Sequence, residues 1–140
     1  MDRLKMLELA NKITKNTLME TLDITYTDIG EDFLVATMPV TTKVHQPMRL
    51  LHGGATVALA ESVGSTASHM FINTKEFEIR GIEITANHLK SVSSGIVTAK
   101  ASVIHKGRTT HLWKIEVRDE NEKLVSFCKL TNIVLPKTKK

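Results

Sequence analysis

The sequence predicts an α+β fold in which an antiparallel sheet carries one long helix on its face. A buried helix is indicated by small and apolar residues at four-residue spacing: Ala55, Leu59, Val63 and Ala67. After this helix, polar and apolar residues alternate in long segments that are rich in β-branched side chains. Such alternation is typical of strands with one face on a core. The order of helix, two strands, long helix and four strands therefore favours a helix packed on a continuous sheet.

The elements follow from local patterns along the chain. An amphipathic helix with Asp2 as its N-cap is predicted over residues 2–18, within an N-terminal segment 1–20. Its apolar face comprises Leu4, Leu7, Ala10 and Leu18. Strands are predicted over residues 21–28, 33–40, 79–89, 96–104, 109–118 and 123–135, and the long helix over 54–71. Both edges of the sheet are expected to remain open, which favours dimerisation.

The composition indicates a single domain over residues 1–140. Of these residues, 41% are hydrophobic and 24% are charged, which is ordinary for a globular chain. No apolar run is long enough to cross a membrane and no signal-peptide pattern is present, so we expect a cytoplasmic protein without a membrane partner. Cys128 is the only cysteine, and its alternating context predicts a small core residue rather than a nucleophile.

The charge balance is basic, with a net charge of +4 and a pI near 9.3. A basic tail over residues 136–140 contributes three of the positive charges. Only 4% of the residues are aromatic, so few side chains are available to stack on bases, and we expect no nucleic-acid partner. The modest positive charge suits an anionic small molecule equally well.

The chain is organised around residues 46–65, where a loop enters the long helix through His52, Gly53 and Gly54. Two glycines allow a tight backbone entry and a close approach of a ligand. The free N–H groups of a helix start favour anions, so this point would suit a developing oxyanion. Glu61 is a carboxylate inside an otherwise apolar helix, and Ser65 follows one turn later on the same face. The alternative interpretation is a glycine-rich helix start and a glutamate that faces solvent.

Several other chemistries lack their sequence signatures. No G-x-S-x-G nucleophile elbow is present, and the His, Cys and Asp residues show no metal-ligand spacing. The glycine pair lacks the lysine of a phosphate-binding loop. We therefore expect neither a metal site nor a serine-based triad.

Specific motifs at fixed spacing resemble the hotdog-fold acyl-CoA thioesterase family. They are QP at 46–47, LLHGGA at 50–55 and LAESVGS at 59–65, with further matches at ATMPV 36–40, GIEITANH 81–88 and Trp113. The pattern is similar to the branch that holds the enterobactin-pathway proofreading thioesterase, 1,4-dihydroxy-2-naphthoyl-CoA hydrolase and the Arthrobacter-type 4-hydroxybenzoyl-CoA thioesterase. This resemblance implies a sheet wrapped around a central helix and hydrolysis of an acyl-CoA to free acid and CoA.

The resemblance also implies roles for five residues. Glu61 would be the catalytic carboxylate, either as nucleophile or as general base for water. The Gly53 N–H would bind the oxyanion, and Gln46 would donate a second hydrogen bond or orient the attacking group. His52 would assist departure of the thiolate, and Ser65 would hold a water. Glu61 follows Gly53 by eight residues, about 12 Å along a helix, so the family's site between two subunits would bring them together.

The remaining implied contacts concern the substrate. Positions that would bind CoA or border the acyl group are Gly81, His88, Lys90, Ser91, His105, Lys106, Gly107, Arg108, Thr109, Met48 and Arg49. Two of them depart from the family, because Arg49 stands where relatives usually have glycine and Met48 where they often have an aromatic residue. Arg49 would either pair with an acidic acyl group or point to water, and an aryl preference does not follow.

The resemblance implies a homo-oligomer, at least a dimer and in the family a tetramer, with no cofactor, since coenzyme A is part of the substrate. A non-catalytic acyl-CoA-binding hotdog module is the main alternative, although binding alone would not need the carboxylate of Glu61. A hydratase or dehydratase of the same fold would need a different acid–base pair.

Overall fold

A long helix lies across one face of a six-stranded antiparallel sheet in the computed structural model, which describes residues 2–138. The helices are α1 (Arg3–Lys12), α2 (Leu18–Thr21) and α3 (Gly53–His69). The strands are β1 (Thr25–Ile29), β2 (Phe33–Pro39), β3 (Phe77–His88), β4 (Ile96–Lys106), β5 (Thr110–Arg118) and β6 (Leu124–Pro136). Their order in the sheet is β1-β2-β4-β5-β6-β3. The predicted α+β class, with the sheet around one central helix, is confirmed.

The core lies between the apolar face of α3 and the inward residues of the strands. Leu59, Val63 and Ala67 are fully buried, as their helical spacing predicts. On β5 the burial alternates, so that Trp113, Ile115 and Val117 face the helix. The predicted strand and helix bounds in this region agree with the structure to within two residues, because both periodicities are long and uninterrupted. Cys128 is buried in the same core, and burial raises the pKa of its thiol.

The N-terminal helix is shorter than the prediction of residues 2–18. Asp2 is the N-cap, since its Oδ1 accepts the Lys5 N–H at 3.1 Å, but α1 ends at Lys12. The Thr14 and Thr17 hydroxyls then donate to backbone carbonyls three residues earlier, a pattern that favours turns over helix. Asn16 has φ 62°, which ends the helical path before the separate short helix α2. The predicted extent of the helix within 1–20 is therefore wrong.

Two related predictions also need correction. The first strand begins at Thr25 rather than at residue 21, because α2 occupies the earlier part of that segment. Leu4 and Leu18 were predicted on the buried face of one helix, yet they are 65% and 58% exposed. Because the helix ends at Lys12, Leu18 no longer shares a helical face with Leu4, and within α1 only Ala10 is buried.

The edge at β1 is covered by α1. The Asn11 side chain donates to the Tyr26 carbonyl at 2.9 Å and accepts the Tyr26 N–H at 2.8 Å, which replaces the hydrogen bonds of a neighbouring strand. The expectation of two open edges is thus wrong for β1. At the other side of the sheet, the outer edge of β3 has no strand partner within residues 2–138.

The ends of the chain add two observations. Pro136, predicted as the first residue of a basic tail, is the last residue of β6, while Lys139 and Lys140 lie outside the described residues. Among residues 2–138, the helices are all too short or too polar to span a bilayer.

A buried polar cluster fastens α3 to the sheet. The Ser68 hydroxyl accepts the Trp113 indole N–H and an Asn132 amide N–H, each at 2.7 Å. With both lone pairs occupied, the hydroxyl proton is directed to His111 Nδ1 at 2.9 Å. Nδ1 of His111 must therefore carry no proton, because it accepts the hydrogen bond from Ser68. Burial lowers the pKa of His111, and the charges of Lys106 and His105 lower it further.

This cluster predicts that acid destabilises the protein in a defined window. The unfolded His111 has a pKa of about 6.5, whereas the folded pKa is lower, so below pH 6.5 the unfolded chain binds a proton that the folded chain does not. The free energy of unfolding should fall as pH decreases from 7.5 through 6.5. In His111→Asn, whose Oδ1 still accepts from Ser68, urea titrations at several pH values should show a shallower fall. Equal slopes for both proteins would contradict this assignment.

Candidate active site

The start of α3 presents one free backbone donor. His52 is the N-cap, and its Nδ1 accepts the Gly54 N–H at 2.7 Å. The N–H groups of Ala55 and Thr56 bond to the His52 carbonyl at 3.0 and 3.2 Å. Within residues 2–138 the Gly53 N–H has no hydrogen-bond partner. One donor of the first turn, where the helix dipole favours negative charge, therefore remains available to a ligand.

The two glycines each leave space for an imidazole ring. A Cβ on Gly53 would lie 2.8 Å from His88 Nε2, and a Cβ on Gly54 would lie 2.8 Å from His52 Cε1. Real Cβ atoms do not approach this closely, so a side chain at either position would displace a histidine. The sequence predicts a close approach of a ligand at these glycines, whereas the nearest groups in the described chain are the rings of His88 and His52.

A cleft of about 240 Å³ lies beside the free donor; we call it the Gly53 cleft. It brings together the predicted residues Gln46, Gly53, His88, Lys90 and Ser91. The Gln46 Oε1 accepts the backbone N–H of Met48, which leaves its amide N–H groups to donate elsewhere. Five of the predicted residues, from two separate segments of the sequence, thus line one cleft.

The partners of His88 and Lys90 define their polar groups. His88 Nδ1 lies 2.9 Å from the Ser126 hydroxyl, which donates to the Asn87 carbonyl at 3.1 Å. Because Ser126 has only one proton, His88 Nδ1 is the donor, and Nε2 is the ring atom that faces Gly53. Lys90 forms an ion pair with Asp119 and lowers the pKa of that carboxyl. Its charge is therefore already partly neutralised within the chain.

Glu61 lines a second and larger cleft, of about 580 Å³, which we call the Glu61 cleft. Ser65 lies in it one turn after Glu61, as predicted. Its apolar wall comes from the connection between α1 and α2 and from the start of α2: Ile13, Leu18 and Met19. Gly81 on β3 borders the carboxylate, because a Cβ at Gly81 would lie 3.4 Å from Glu61 Oε2.

Glu61 and Gly53 lie in different clefts of the same chain. His52 is also outside the Gly53 cleft, since its ring is held at the helix start as the cap. One chain therefore contains a half-site with the free donor and a half-site with the carboxylate, and the structure does not bring the two together.

The turn between β4 and β5 forms a third site, apart from both clefts. Predicted residues of this turn, Lys106, Gly107, Arg108 and Thr109, line a pocket together with Phe71. The Lys106 ammonium lies 4.3 Å from the centre of the Phe71 ring. His105 stands beside the turn, and its Nε2 would lie 2.7 Å from a Cβ on Gly107. The turn thus places two cationic side chains, Lys106 and Arg108, in one pocket with the Phe71 ring.

Met48 and Arg49 line neither cleft in the single chain. The Met48 side chain is 76% exposed, and Arg49 also faces solvent. Arg49 has φ 64°, in the left-handed region that favours glycine. This backbone conformation suits the glycine that the family resemblance implies at this position. The structure shows no acidic partner for Arg49 within the described chain.

Three polar residues near the clefts had no predicted role. His69 lies in the Glu61 cleft, two turns after the carboxylate, and helical spacing from Glu61 would have indicated it. Ser126 holds His88, and Asn132 is buried beside Gly81. Only strand register brings the last two to the site, so no local signal in the sequence could have identified them.

The described part of the chain contains no group of three or more His, Cys, Asp or Glu side chains that could hold a metal ion. The polar atoms of the two clefts are hydrogen-bond donors, one carboxylate and isolated imidazoles. Such a set suits polarisation of a carbonyl and transfer of a proton.

Comparisons with known proteins identify the family of the chain. Residues 48–126 match the model of the thioesterase superfamily. The chain is 41% identical over 130 residues to the proofreading thioesterase EntH of Cronobacter sakazakii, covering 92% of this chain and 93% of that protein. It is 40% identical over 129 residues to the 1,4-dihydroxy-2-naphthoyl-CoA hydrolase of Escherichia coli K12, covering 92% and 94%.

Solved structures show the same relationship. A crystal structure of a mutant thioesterase from Pseudomonas aeruginosa superimposes with a TM-score of 0.92 at 43% identity, covering 94% of each chain. A thioesterase from Haemophilus influenzae gives 0.91 at 40% identity, covering 95% of this chain and 92% of that one. With this fold, and with a carboxylate and a free helix-start donor in its clefts, the chain belongs to the thioesterase superfamily and is a thioester hydrolase.

Proposed function

We propose that this protein hydrolyses the thioester of an acyl- or aroyl-CoA to the free acid and CoA, with Glu61 as the catalytic carboxylate. The observation that supports this most directly is the free Gly53 N–H at the start of α3, which has no partner within residues 2–138. A donor fixed at a helix N-terminus suits the oxygen of a thioester, which becomes negative during attack. The Glu61 cleft supplies a carboxylate that faces solvent.

The chemistry needs few groups. Attack on the thioester carbon moves the carbonyl electrons to oxygen, where the Gly53 N–H and an amide N–H of Gln46 would stabilise the charge. Glu61 would act as nucleophile or as general base for water. Collapse of the intermediate breaks the C–S bond, and thiolate is a good leaving group. We propose that the reaction proceeds without a resident cofactor, because CoA enters as part of the substrate.

The two half-sites would join in an oligomer. The outer edge of β3 lacks a strand partner in the described chain, and Ile82 on this strand is 57% exposed. Pairing of two β3 strands around a two-fold axis would bring the Gly53 cleft of one subunit to the Glu61 cleft of the other. Such a dimer would contain two equivalent sites, and two dimers would form the tetramer that the family resemblance implies.

The surroundings of each half-site suit one end of the substrate. The apolar wall of the Glu61 cleft, formed by Ile13, Leu18 and Met19, suits an acyl or aryl group. The β4–β5 turn carries Lys106 and Arg108 and would contact phosphates of CoA through these cations and through its backbone N–H groups. Ser91 and Lys90 at the other cleft would contribute less charge, since Lys90 is paired with Asp119.

His52 would serve mainly as the helix cap. Its Nδ1 accepts the Gly54 N–H, so the remaining proton is on Nε2, which is the atom able to assist the departing thiolate. Capping of the helix therefore uses Nδ1 of His52, and proton donation to the departing thiolate would use Nε2 of the same ring. A substitution that keeps the acceptor but lacks the Nε2 proton separates the two roles.

The first test is CoA release from a panel of benzoyl, hydroxybenzoyl, hydroxynaphthoyl, phenylacetyl, short-chain and long-chain acyl-CoA. Wild type should hydrolyse at least one member, and Glu61→Ala should lower kcat by about 1,000-fold, with an unchanged circular dichroism spectrum. Glu8→Ala, which removes an exposed carboxylate from α1 away from both clefts, is the matched control and should retain activity. Tight binding of acyl-CoA without hydrolysis by wild type would instead favour the non-catalytic binding module.

Mixed oligomers test whether the site is shared. Glu61→Ala and Gln46→Ala chains should each be inactive alone, because each destroys every site. A mixed dimer contains one intact site, with Gln46 from one chain and Glu61 from the other, and should recover about half of the wild-type activity. Co-expression with two affinity tags would isolate such dimers. Absence of recovery in purified mixed dimers would contradict the shared site.

The two functions of His52 predict different effects of two substitutions. His52→Ala should lower the free energy of unfolding by about 1 kcal/mol, because the Gly54 N–H loses its acceptor. His52→Asn should retain most of that stability, since its Oδ1 is a good cap, yet it lacks the Nε2 proton. In urea unfolding, His52→Asn should therefore be nearly as stable as wild type, while its kcat should be lower. Full activity of His52→Asn would show that the ring has only the capping role.

A further inference from the structure

Asn132 presents an unpaired acceptor from the core toward the catalytic carboxylate. Asn132 is 0% exposed, and its side-chain oxygen Oδ1 is buried without a hydrogen-bond partner in the described chain. Leaving a buried carbonyl oxygen unpaired is unfavourable, because the oxygen loses its hydrogen bonds to water. Such a cost calls for a functional explanation.

The orientation of the Asn132 amide is fixed by its other end. The Nδ2 group donates to the Gly64 carbonyl at 3.3 Å and to the Ser68 hydroxyl at 2.7 Å. The Gly64 carbonyl can only accept, so the amide cannot be reversed without placing two carbonyl oxygens together. Both N–H bonds are used, and Oδ1 must point to the opposite side.

On that opposite side lie Gly81 and Glu61. A Cβ at Gly81 would be 3.5 Å from Asn132 Oδ1 and 3.4 Å from Glu61 Oε2, so both oxygens border the same small volume above Gly81. The two oxygens are therefore at most about 7 Å apart. A shift of about 1 Å by the exposed Glu61 carboxylate would bring both within hydrogen-bond distance of one bridging water. Strand β3 also has a bulge between Gly81 and Glu83, a feature that often accompanies active sites. Both acceptors would bind a donor placed between them.

We propose that Asn132 orients the water that attacks the thioester, with the water held above Gly81 between Asn132 Oδ1 and Glu61 Oε2. This inference rests on the proposed function and assigns Glu61 the role of general base. A water that donates both hydrogens to these oxygens keeps a lone pair free for the thioester carbon. Glu61 is an exposed side chain and can shift to admit the water.

The proposed step is balanced in atoms and electrons. The water oxygen forms a bond to the thioester carbon while one of its protons passes to Glu61 Oε2. The carbonyl electron pair moves to oxygen and then returns as the C–S bond breaks, with that bond's electrons leaving on sulfur. The proton from Glu61 finally neutralises the thiolate. Asn132 takes part in no bond change and acts by fixing the direction of the water.

The test uses substitutions that separate position from stability. In Gly81→Ala, the added methyl group would occupy the volume above Gly81 at ordinary contact distances, the shortest being 3.4 Å, so the fold should be retained. We expect kcat to fall by about 100-fold, with KM and melting temperature unchanged. Asn132→Leu, which has no acceptor, should lower kcat similarly and also lose some stability.

Ser68→Ala is the matched control. It removes the hydroxyl that binds Asn132, His111 and Trp113, so it should destabilise the protein at least as much as Asn132→Leu. The Gly64 carbonyl still accepts from Asn132 Nδ2 at 3.3 Å, which keeps Oδ1 directed toward Gly81. Its kcat at a permissive temperature should stay within about 3-fold of wild type, since no group bordering the water changes. Equal losses of kcat in Ser68→Ala and Asn132→Leu would indicate a structural role alone and overturn the inference.

A single-turnover reaction in ¹⁸O-labelled water, with enzyme in excess, tests the chemistry directly. Attack by water predicts that the acid formed in the first turnover contains the label. An unlabelled first product would mean that an oxygen of Glu61 attacks instead, which would overturn the role of Asn132 but not the proposed thioesterase. If Gly81→Ala and Asn132→Leu keep the wild-type kcat while Glu61→Gln is inactive, the role of Asn132 is likewise overturned and the proposed thioesterase is not. Full activity of Glu61→Gln would overturn both proposals.

Discussion

The position of α3 on the sheet controls both half-sites. The helix carries the free donor at Gly53 and the carboxylate at Glu61, and a rigid helix fixes the distance between them. Its apolar face supplies the burial energy, which has no preferred direction along the sheet. The hydrogen bonds of Ser68 to Trp113 and Asn132 do have a direction, and together with the bond from Asn132 to the Gly64 carbonyl they favour one register of the helix on the strands. Displacement of this helix would therefore shift both half-sites relative to the sheet.

The helix start shows how a short motif meets several requirements at once. His52 caps the backbone, Gly54 leaves room for that cap, and Gly53 leaves room for His88. As a result three of the first-turn donors are satisfied within the chain, and the fourth stays free. A residue with a side chain at Gly53 would lose this arrangement through a clash, although the helix itself would tolerate alanine well.

Because the Gly53 donor and the Glu61 carboxylate are separated within one chain, catalysis under the proposed mechanism would depend on oligomerisation. A single chain places them in different clefts, so an isolated subunit would bind parts of a substrate without joining the reacting groups. The unpaired edge of β3 is the element that would change this, and an exposed edge is protected when it pairs with a copy of itself. In this view oligomerisation completes the catalytic geometry as well as covering the sheet edge.

The sequence by itself determined the α+β fold and the central helix, because long periodicities are local properties. Its motifs at fixed spacing also supplied Glu61, Gly53 and Gln46 as candidate groups, through the resemblance to a family. It overestimated the N-terminal helix, since the turn near Asn16 depends on competing hydrogen bonds rather than on apolar spacing. Only the tertiary structure decided which residues meet across the sheet. Strand register places Asn132 beside Gly81, and no pattern within β6 encodes a neighbour that lies about fifty residues earlier in the chain.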